Sequence, residues 1–223
     1  DGNEITFRSN ESSPAVGDWG QLKFFDSSTD ASFDNDGNYS SGSLIQYAII
    51  EYGTGLYFDY STPYVDHSII RYNSSHGIHG YPHNSPNPWK ITNSTINNNA
   101  SRGIQIQAYN TAGIIIDGNT LSYNGGGIET PGYPATISNN IIANNVNENG
   151  AGGIECGECT ATNNLIKNNF SEGNAGGIYI HGGTVTGNII YNNTAEKGGG
   201  VYIRAGTVNL SNNFIVNIFV YTN

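Results

Sequence analysis

A short apolar pair recurs eight times along the chain at nearly even spacing, and this repeat limits the accessible folds more than any single residue does. With the second member of each pair as a marker, the positions are Ile50, Ile70, Ile96, Leu121, Ile142, Ile166, Ile190 and Ile215, separated by 20, 26, 25, 21, 24, 24 and 25 residues. Self-similarity at a period of about 20–50 residues marks a solenoid, whose units bury their apolar faces only against their neighbours. Five places before each marker stands a second apolar series: Ile45, Val65, Ile91, Ile116, Ile137, Ala161, Val185 and Leu210. In the later units it is flanked by polar residues (Thr136 and Ser138, Thr160 and Thr162, Thr184 and Thr186, Asn209 and Ser211), the alternation of a strand with one wet face.

The marker pair predicts a second strand. A glycine followed by an apolar residue predicts a third, at Gly77-Ile78, Gly103-Ile104, Gly127-Ile128, Gly153-Ile154, Gly177-Ile178 and Gly200-Val201. Helical period is absent. The expected fold is all-β, a right-handed parallel β-helix of about eight coils of 20–26 residues with three short strands each, because parallel crossovers wind right-handed by default. Asparagine, 33 residues in all, repeats at two corner phases. Two places before the marker stand Ser68, Ser94, Asn119, Asn140, Asn164, Asn188 and Asn213, and three places after it Asn73, Asn99, Asn124, Asn145, Asn169 and Asn193. Stacked amides can bond to their copies one coil away, about 4.8 Å along the axis, and asparagine tolerates the left-handed backbone of tight corners. This predicts a structural role for them rather than a sugar-binding one.

Three stretches carry a family resemblance: Ile5-Thr6-Phe7, Gly17-Asp18-Trp19-Gly20-Gln21-Leu22-Lys23-Phe24, and Leu44-Ile45-Gln46-Tyr47-Ala48-Ile49-Ile50-Glu51-Tyr52-Gly53. Together they resemble the repeat region of secreted and cell-surface right-handed β-helix proteins of bacteria and archaea, a group similar in fold to pectate lyases. The resemblance implies an architecture and a region continuing from earlier coils; fold by itself does not fix function.

Residues 1–223 read as one solenoid domain, and a chain that starts at Asp1 and lacks methionine is expected to be a segment of a longer one. With 18 acidic against 8 basic residues the formal charge is −10, which disfavours nucleic acid and anionic membrane as partners. No apolar run reaches the roughly 20 residues needed to span a bilayer.

Polysaccharide hydrolases and lyases use this fold, but the chain lacks an Asp-Asp pair and an Arg-Ile-Lys motif, and the nearest approach to Gly-His-Gly is His76-Gly77-Ile78-His79-Gly80. No catalytic residues are assigned. The group His67, His76, His79, His83 and Trp89 offers a cleft for a sugar or a transition metal, against the plainer reading of a polar loop covering the solenoid. Residues 26–42 form an acidic insertion in which Asp34, Asp36 and Asn38 place oxygens at alternate positions, either for calcium or as ordinary solvated side chains; no cofactor is required. Cys156 and Cys159 can close a small disulfide loop in an oxidising exterior or remain free thiols.

Glycan attachment sequons lie at Asn10, Asn38, Asn73, Asn93, Asn99, Asn169, Asn192 and Asn209, only slightly above chance for this composition. Thr136, Thr160 and Thr184 form one outward row, and Thr162 and Thr186 part of another, resembling the threonine ladders of ice-binding β-helices. Residues 214–223 break the pattern, with Ile218-Phe219-Val220-Tyr221 where asparagine and glycine are expected, which predicts either a self-cap or a contact with another chain or domain. The expected function is a non-enzymatic extracellular scaffold of a surface layer, sheath, filament or adhesin, self-associating head to tail or joined to other surface domains. The alternatives are a polysaccharide-binding module or relative of polysaccharide lyases and hydrolases, and an ice binder.

Overall fold

The marker series becomes a nine-stranded parallel ladder, starting at Ile5–Phe7 and Ala48–Glu51 and ending at Phe214–Val216, in a computed structural model that describes residues 4–82, 85–107, 112–132 and 134–221. Register holds marker on marker, Ile50 against Ile70, Leu121 against Ile142, Ile190 against Ile215. The alternating series forms a second ladder from Leu44–Gln46 to Val208–Ser211, and the glycine-led series a third from Gln21–Phe24 to Val201–Ile203. Strands Ile154–Thr162 and Ile178–Thr186 belong to both, so in those turns the corner between the two faces is lost and one long strand serves each. A fourth, short ladder that the sequence pattern did not announce joins Val146–Asn147, Phe170–Ser171, Thr194–Ala195 and Phe219–Val220. The solenoid has about seven turns, slightly fewer than the eight expected.

Inside the coil the markers from Ile50 to Ile190 and the alternating series from Ile45 to Val185 form one continuous buried column. Each buried Ile or Leu contributes about 1.5–3 kcal/mol. Leu210 is the exception at 44% exposed: it sits in the last described turn, which has a neighbour on one side only. The leading glycines follow from crowding. A Cβ at Gly77 would stand 2.6 Å from Ile96 Cγ2 and 2.8 Å from the Gly103 carbonyl, so a side chain would push adjacent coils apart.

The corners divide the work of asparagine between adjacent residues. Within the ladders the asparagines are buried with their amides fully engaged, as at Asn124: its Nδ2 donates to the Ile96 carbonyl at 2.9 Å and to Asn145 Oδ1 at 3.1 Å, while its Oδ1 accepts from the Asn99 amides. The residue just before carries the left-handed backbone, at φ 54° for Asn98, 57° for Asn144 and 54° for Asn168 and Asn192. In some turns tyrosine takes that place, as at Tyr52, Tyr72 and Tyr123.

The acidic insertion is a small antiparallel hairpin, Ser32–Phe33 with Tyr39–Ser41, laid against the flank: Phe33 meets the Tyr64 ring at 5.3 Å and Lys90 Nζ lies 3.9 Å above the Phe33 ring. At the other end the apolar run is neither a separate cap nor a loose tail. Ile218 packs against the core, Phe219 and Val220 pair with Thr194 and Ala195, and Tyr221 stacks on Phe170 at 5.7 Å with its hydroxyl donating to the Ser171 carbonyl. Among the described residues no helix is long and apolar enough to cross a membrane.

Candidate functional site

Adjacent coils place equivalent side chains over one another, so the outward residue that follows each leading Gly-Ile builds a continuous column on the glycine-led face. Register aligns Lys23, Tyr57, His79, Gln105, Glu129, Glu155, Tyr179 and Tyr202. All are polar or aromatic. Arg102 ties the middle of the column together: its guanidinium pairs with Glu129 through Nε and with Glu155 Oε2 through Nη2 at 3.0 Å, while Gln105 Nε2 donates to Glu129 at 2.8 Å. The Arg102 and Glu129 side chains are only 12% and 13% exposed, so this triad is a largely buried network in which one guanidinium is shared by two carboxylates.

Aromatic rings flank the triad on both sides. Above it, Tyr57 meets His79 edge-on at 5.3 Å, and His79 lies 4.8 Å from both His76 and Tyr81. Burial, with the nearby His79 and Arg102, pushes His76 down to about 4, and burial lowers His79 against the opposing pull of Glu129, so both rings are neutral at pH 7. Below it, Tyr202 stacks on Tyr179 at 5.6 Å, and the Tyr179 hydroxyl accepts from Arg204 Nη1 at 2.9 Å beside His181 Nε2 at 3.2 Å. A small cavity of about 160 Å³ opens there between Pro131, Glu155, Gly157 and Arg204.

Of the histidine group expected from sequence, the structure unites only His76 and His79. His67 lies on another corner, its Nδ1 2.7 Å from Asp66 and its ring 5.4 Å from Tyr47. His83 lies outside the described residues. Trp89 is corrected outright: it is fully buried, T-shaped against Phe58 and donating from Nε1 to the Pro63 carbonyl at 2.8 Å, so no sugar can reach it. Among the described residues no group of three or more His, Cys, Asp or Glu gathers as metal ligands. In the hairpin, Asp34 instead accepts from the backbone N–H of Asp36 and Asn38 and from Asn38 Nδ2, which lowers its pKa. The carboxylate thereby closes its own turn with Asn38, and Asp36 stays exposed.

The threonine rows stand in register, Thr136 on Thr160 on Thr184 and Thr162 on Thr186. They are not flat: Thr136 and Thr160 line a groove of about 480 Å³ walled by Pro88, Pro134 and Glu158, and the row runs into Ile115 and Asn209. Cys156 and Cys159 are bonded to each other inside the coil. Three sequons are corrected, because Asn73, Asn99 and Asn169 are buried ladder residues whose Nδ2 groups donate to neighbouring amide and carbonyl oxygens. Asn10, Asn38, Asn93, Asn192 and Asn209 are exposed.

Sequence reasoning passed over Arg102, Glu129 and Glu155, which are separated by tens of residues. The signal was present: reading one place beyond each Gly-Ile gives His79, Gln105, Glu129, Glu155 and Tyr179 directly. A family model described as "right handed beta helix region" matches residues 83–222, which span the triad. No curated protein and no solved structure matches the chain.

Proposed function

The chain belongs to the right-handed β-helix family, and on that premise we propose that it is a non-enzymatic adhesive scaffold of the cell exterior, holding an extended, hydroxyl-rich glycan along one face. The observation that carries this reading is the unbroken column from Lys23 to Tyr202, in which aromatic rings, with Tyr179 buried against Tyr202, flank a central block of amide and carboxylate groups at the coil spacing. A sugar ring has an apolar face that packs on an aromatic ring and a rim of hydroxyls that pairs with carboxylates and amides, so a mixed column suits a chain of such rings. Binding rather than turnover is favoured because Arg102 holds both Glu129 and Glu155 through their Oε2 atoms, so the two form one ion-paired network rather than a separate acid and base. The Cys156–Cys159 disulfide favours an oxidising exterior. No contact in this reading passes through a metal ion.

The test is affinity electrophoresis of the 223-residue chain through gels carrying neutral polysaccharides of differing linkage, with Tyr202→Ala, Glu155→Gln and, on a different face, Thr136→Ala. The expected result is retardation by at least one polymer, weakened about tenfold by either column substitution, equivalent to about 1.4 kcal/mol, and unchanged by Thr136→Ala. Free migration through every gel, or retardation indifferent to Tyr202 and Glu155, refutes the proposal. Release of reducing sugar by the wild-type chain that Glu155→Gln abolishes would turn it into an enzyme.

A further inference from the structure

Neighbouring residues of a strand face opposite sides of the sheet, so an apolar pair repeated in every turn can bury only one of its members. In the nine-stranded ladder the buried member is the marker. The other member is left outside: Ile141, Leu165, Ile189 and Phe214 stand in register over the late turns, and Ile49 and Ile69 over the early ones, with threonine between. Ile141, Ile189 and Phe214 are 41%, 46% and 60% exposed. Isolated exposed apolar residues are ordinary, but an aligned stripe of them along a rigid sheet marks an interaction surface.

We infer that this face is the interface of a side-by-side dimer, and that the occupant is a second copy of the chain. Two observations favour a copy over another partner. The first is pitch: the stripe repeats at the rung spacing of about 4.8 Å, and a second identical ladder supplies apolar groups at the same spacing over many rungs. With the two-fold axis running along the solenoid, each rung meets its own counterpart. The second is charge. The chain carries a net −10, yet the outward positions of this ladder hold a single carboxylate, Glu51, which is buried and paired with Arg71 at 2.8 Å and Arg8 at 3.6 Å, and otherwise only Lys167. Here two acidic copies can approach without facing each other's carboxylates. Nine rungs at about 4.8 Å by some five residues of strand and corner at about 3.3 Å bury roughly 700 Å² per copy, or about 1,400 Å² in total, toward the lower end of stable interfaces. A reversible dimer in the micromolar range fits that area. This inference concerns a different face from the glycan column, so either can fail alone.

Sedimentation equilibrium from about 1 to about 500 μM, a range that brackets micromolar affinity, tests it with the wild-type chain, Ile189→Lys, Ile141→Lys, Thr160→Lys on a different face, and the end variant Phe219→Ser. Far-ultraviolet circular dichroism confirms that each is folded. The expected result is a wild-type dimer, weakened at least tenfold by either isoleucine substitution and changed less than twofold by Thr160→Lys and Phe219→Ser. Residue-specific crosslinking adds a second readout: Ile189→Cys should form a same-residue interchain disulfide, and Thr160→Cys should not. A monomer at every concentration overturns the inference. So does a dimer indifferent to both isoleucine substitutions, or one lost only with Phe219→Ser, which would place the contact at the solenoid end. A chain that stays monomeric but binds phosphatidylcholine vesicles through Ile189 would assign the stripe to lipid and overturn it as well.

Discussion

Asn145→Ala tests whether the buried amide column, rather than the apolar core alone, holds the coils together. Asn145 donates from Nδ2 to the Leu121 carbonyl at 3.2 Å and to Asn169 Oδ1 at 3.0 Å, and its Oδ1 accepts from Asn124 N at 3.0 Å and Asn124 Nδ2 at 3.1 Å. Alanine removes all four bonds and leaves the Asn124 N–H facing a buried site with no acceptor. At about 1 kcal/mol per net bond, with a further desolvation cost for the stranded donor, the loss is about 4–6 kcal/mol. The neighbouring Asn144→Ala is the control, because Asn144 sits at φ 57° and holds no place in the column, so its cost is the left-handed penalty of about 1–2 kcal/mol. Urea denaturation followed by tyrosine fluorescence reads both: with an m-value near 3 kcal/mol/M, the Asn145→Ala midpoint falls by about 1.3–2 M and the Asn144→Ala midpoint by about 0.5 M. Asn145→Ala and Asn169→Ala should combine to less than their sum, since they share a bond. If Asn145→Ala costs no more than Asn144→Ala, the amide column is an ornament on an apolar core and the reasoning fails.

Tyr123 adopts φ 57° while 62% exposed, at a corner where other turns carry Asn98, Asn144 and Asn168, so Tyr123→Asn relieves left-handed strain and should stabilise by about 0.5–1 kcal/mol, raising the melting temperature by about 1–4 °C. A lower melting temperature would mean the ring makes a contact worth more than the strain. Burial alone would raise the pKa of Asp66, but hydrogen bonds from Thr92, His67, Gln46 and Asn93 outweigh it and hold the carboxyl at about 2. Because the folded value lies below the ordinary one, the stabilisation is complete above about pH 5 and disappears as pH falls through 2; Asp66→Asn should cost about 2 kcal/mol at pH 7 and nothing near pH 1.5. Equal destabilisation at both pH values would disprove the linkage.

Side chains whose environment is set by their own coil phase were legible in the sequence. The marker series, the second apolar series and the buried amides all follow from position within a turn, and the structure places each where that position implies. Side chains whose environment depends on other segments were not. Trp89 looked like a ligand among loop histidines because nothing local shows that Gly80 leaves room for its ring, with a would-be Cβ 2.7 Å from Trp89 Cζ3. The asparagine pairs at the corners read as one kind of residue, yet hydrogen bonding and left-handed geometry are assigned to separate members, a division visible only in the φ angles. Arg102 pairs with carboxylates one and two coils on, 27 and 53 residues away in sequence, and turns of unequal length hide such partners until a register is fixed.

A common cause underlies the repeating phases and the varied faces. Each inward or corner position must match its copies one coil away, since an isoleucine needs an isoleucine to pack against and an amide needs an amide to receive its proton. An outward position carries no such obligation. Along the glycine-led face lysine, tyrosine, histidine, glutamine and glutamate therefore follow one another without disturbing the strands beneath. Where an outward column nevertheless stays apolar over successive rungs, as from Ile141 to Phe214, the coil itself gives no reason for it. The reason has to lie outside the coil, which is why the column of mixed chemistry points to a ligand with varied groups and the uniform stripe to a partner that repeats at the same pitch.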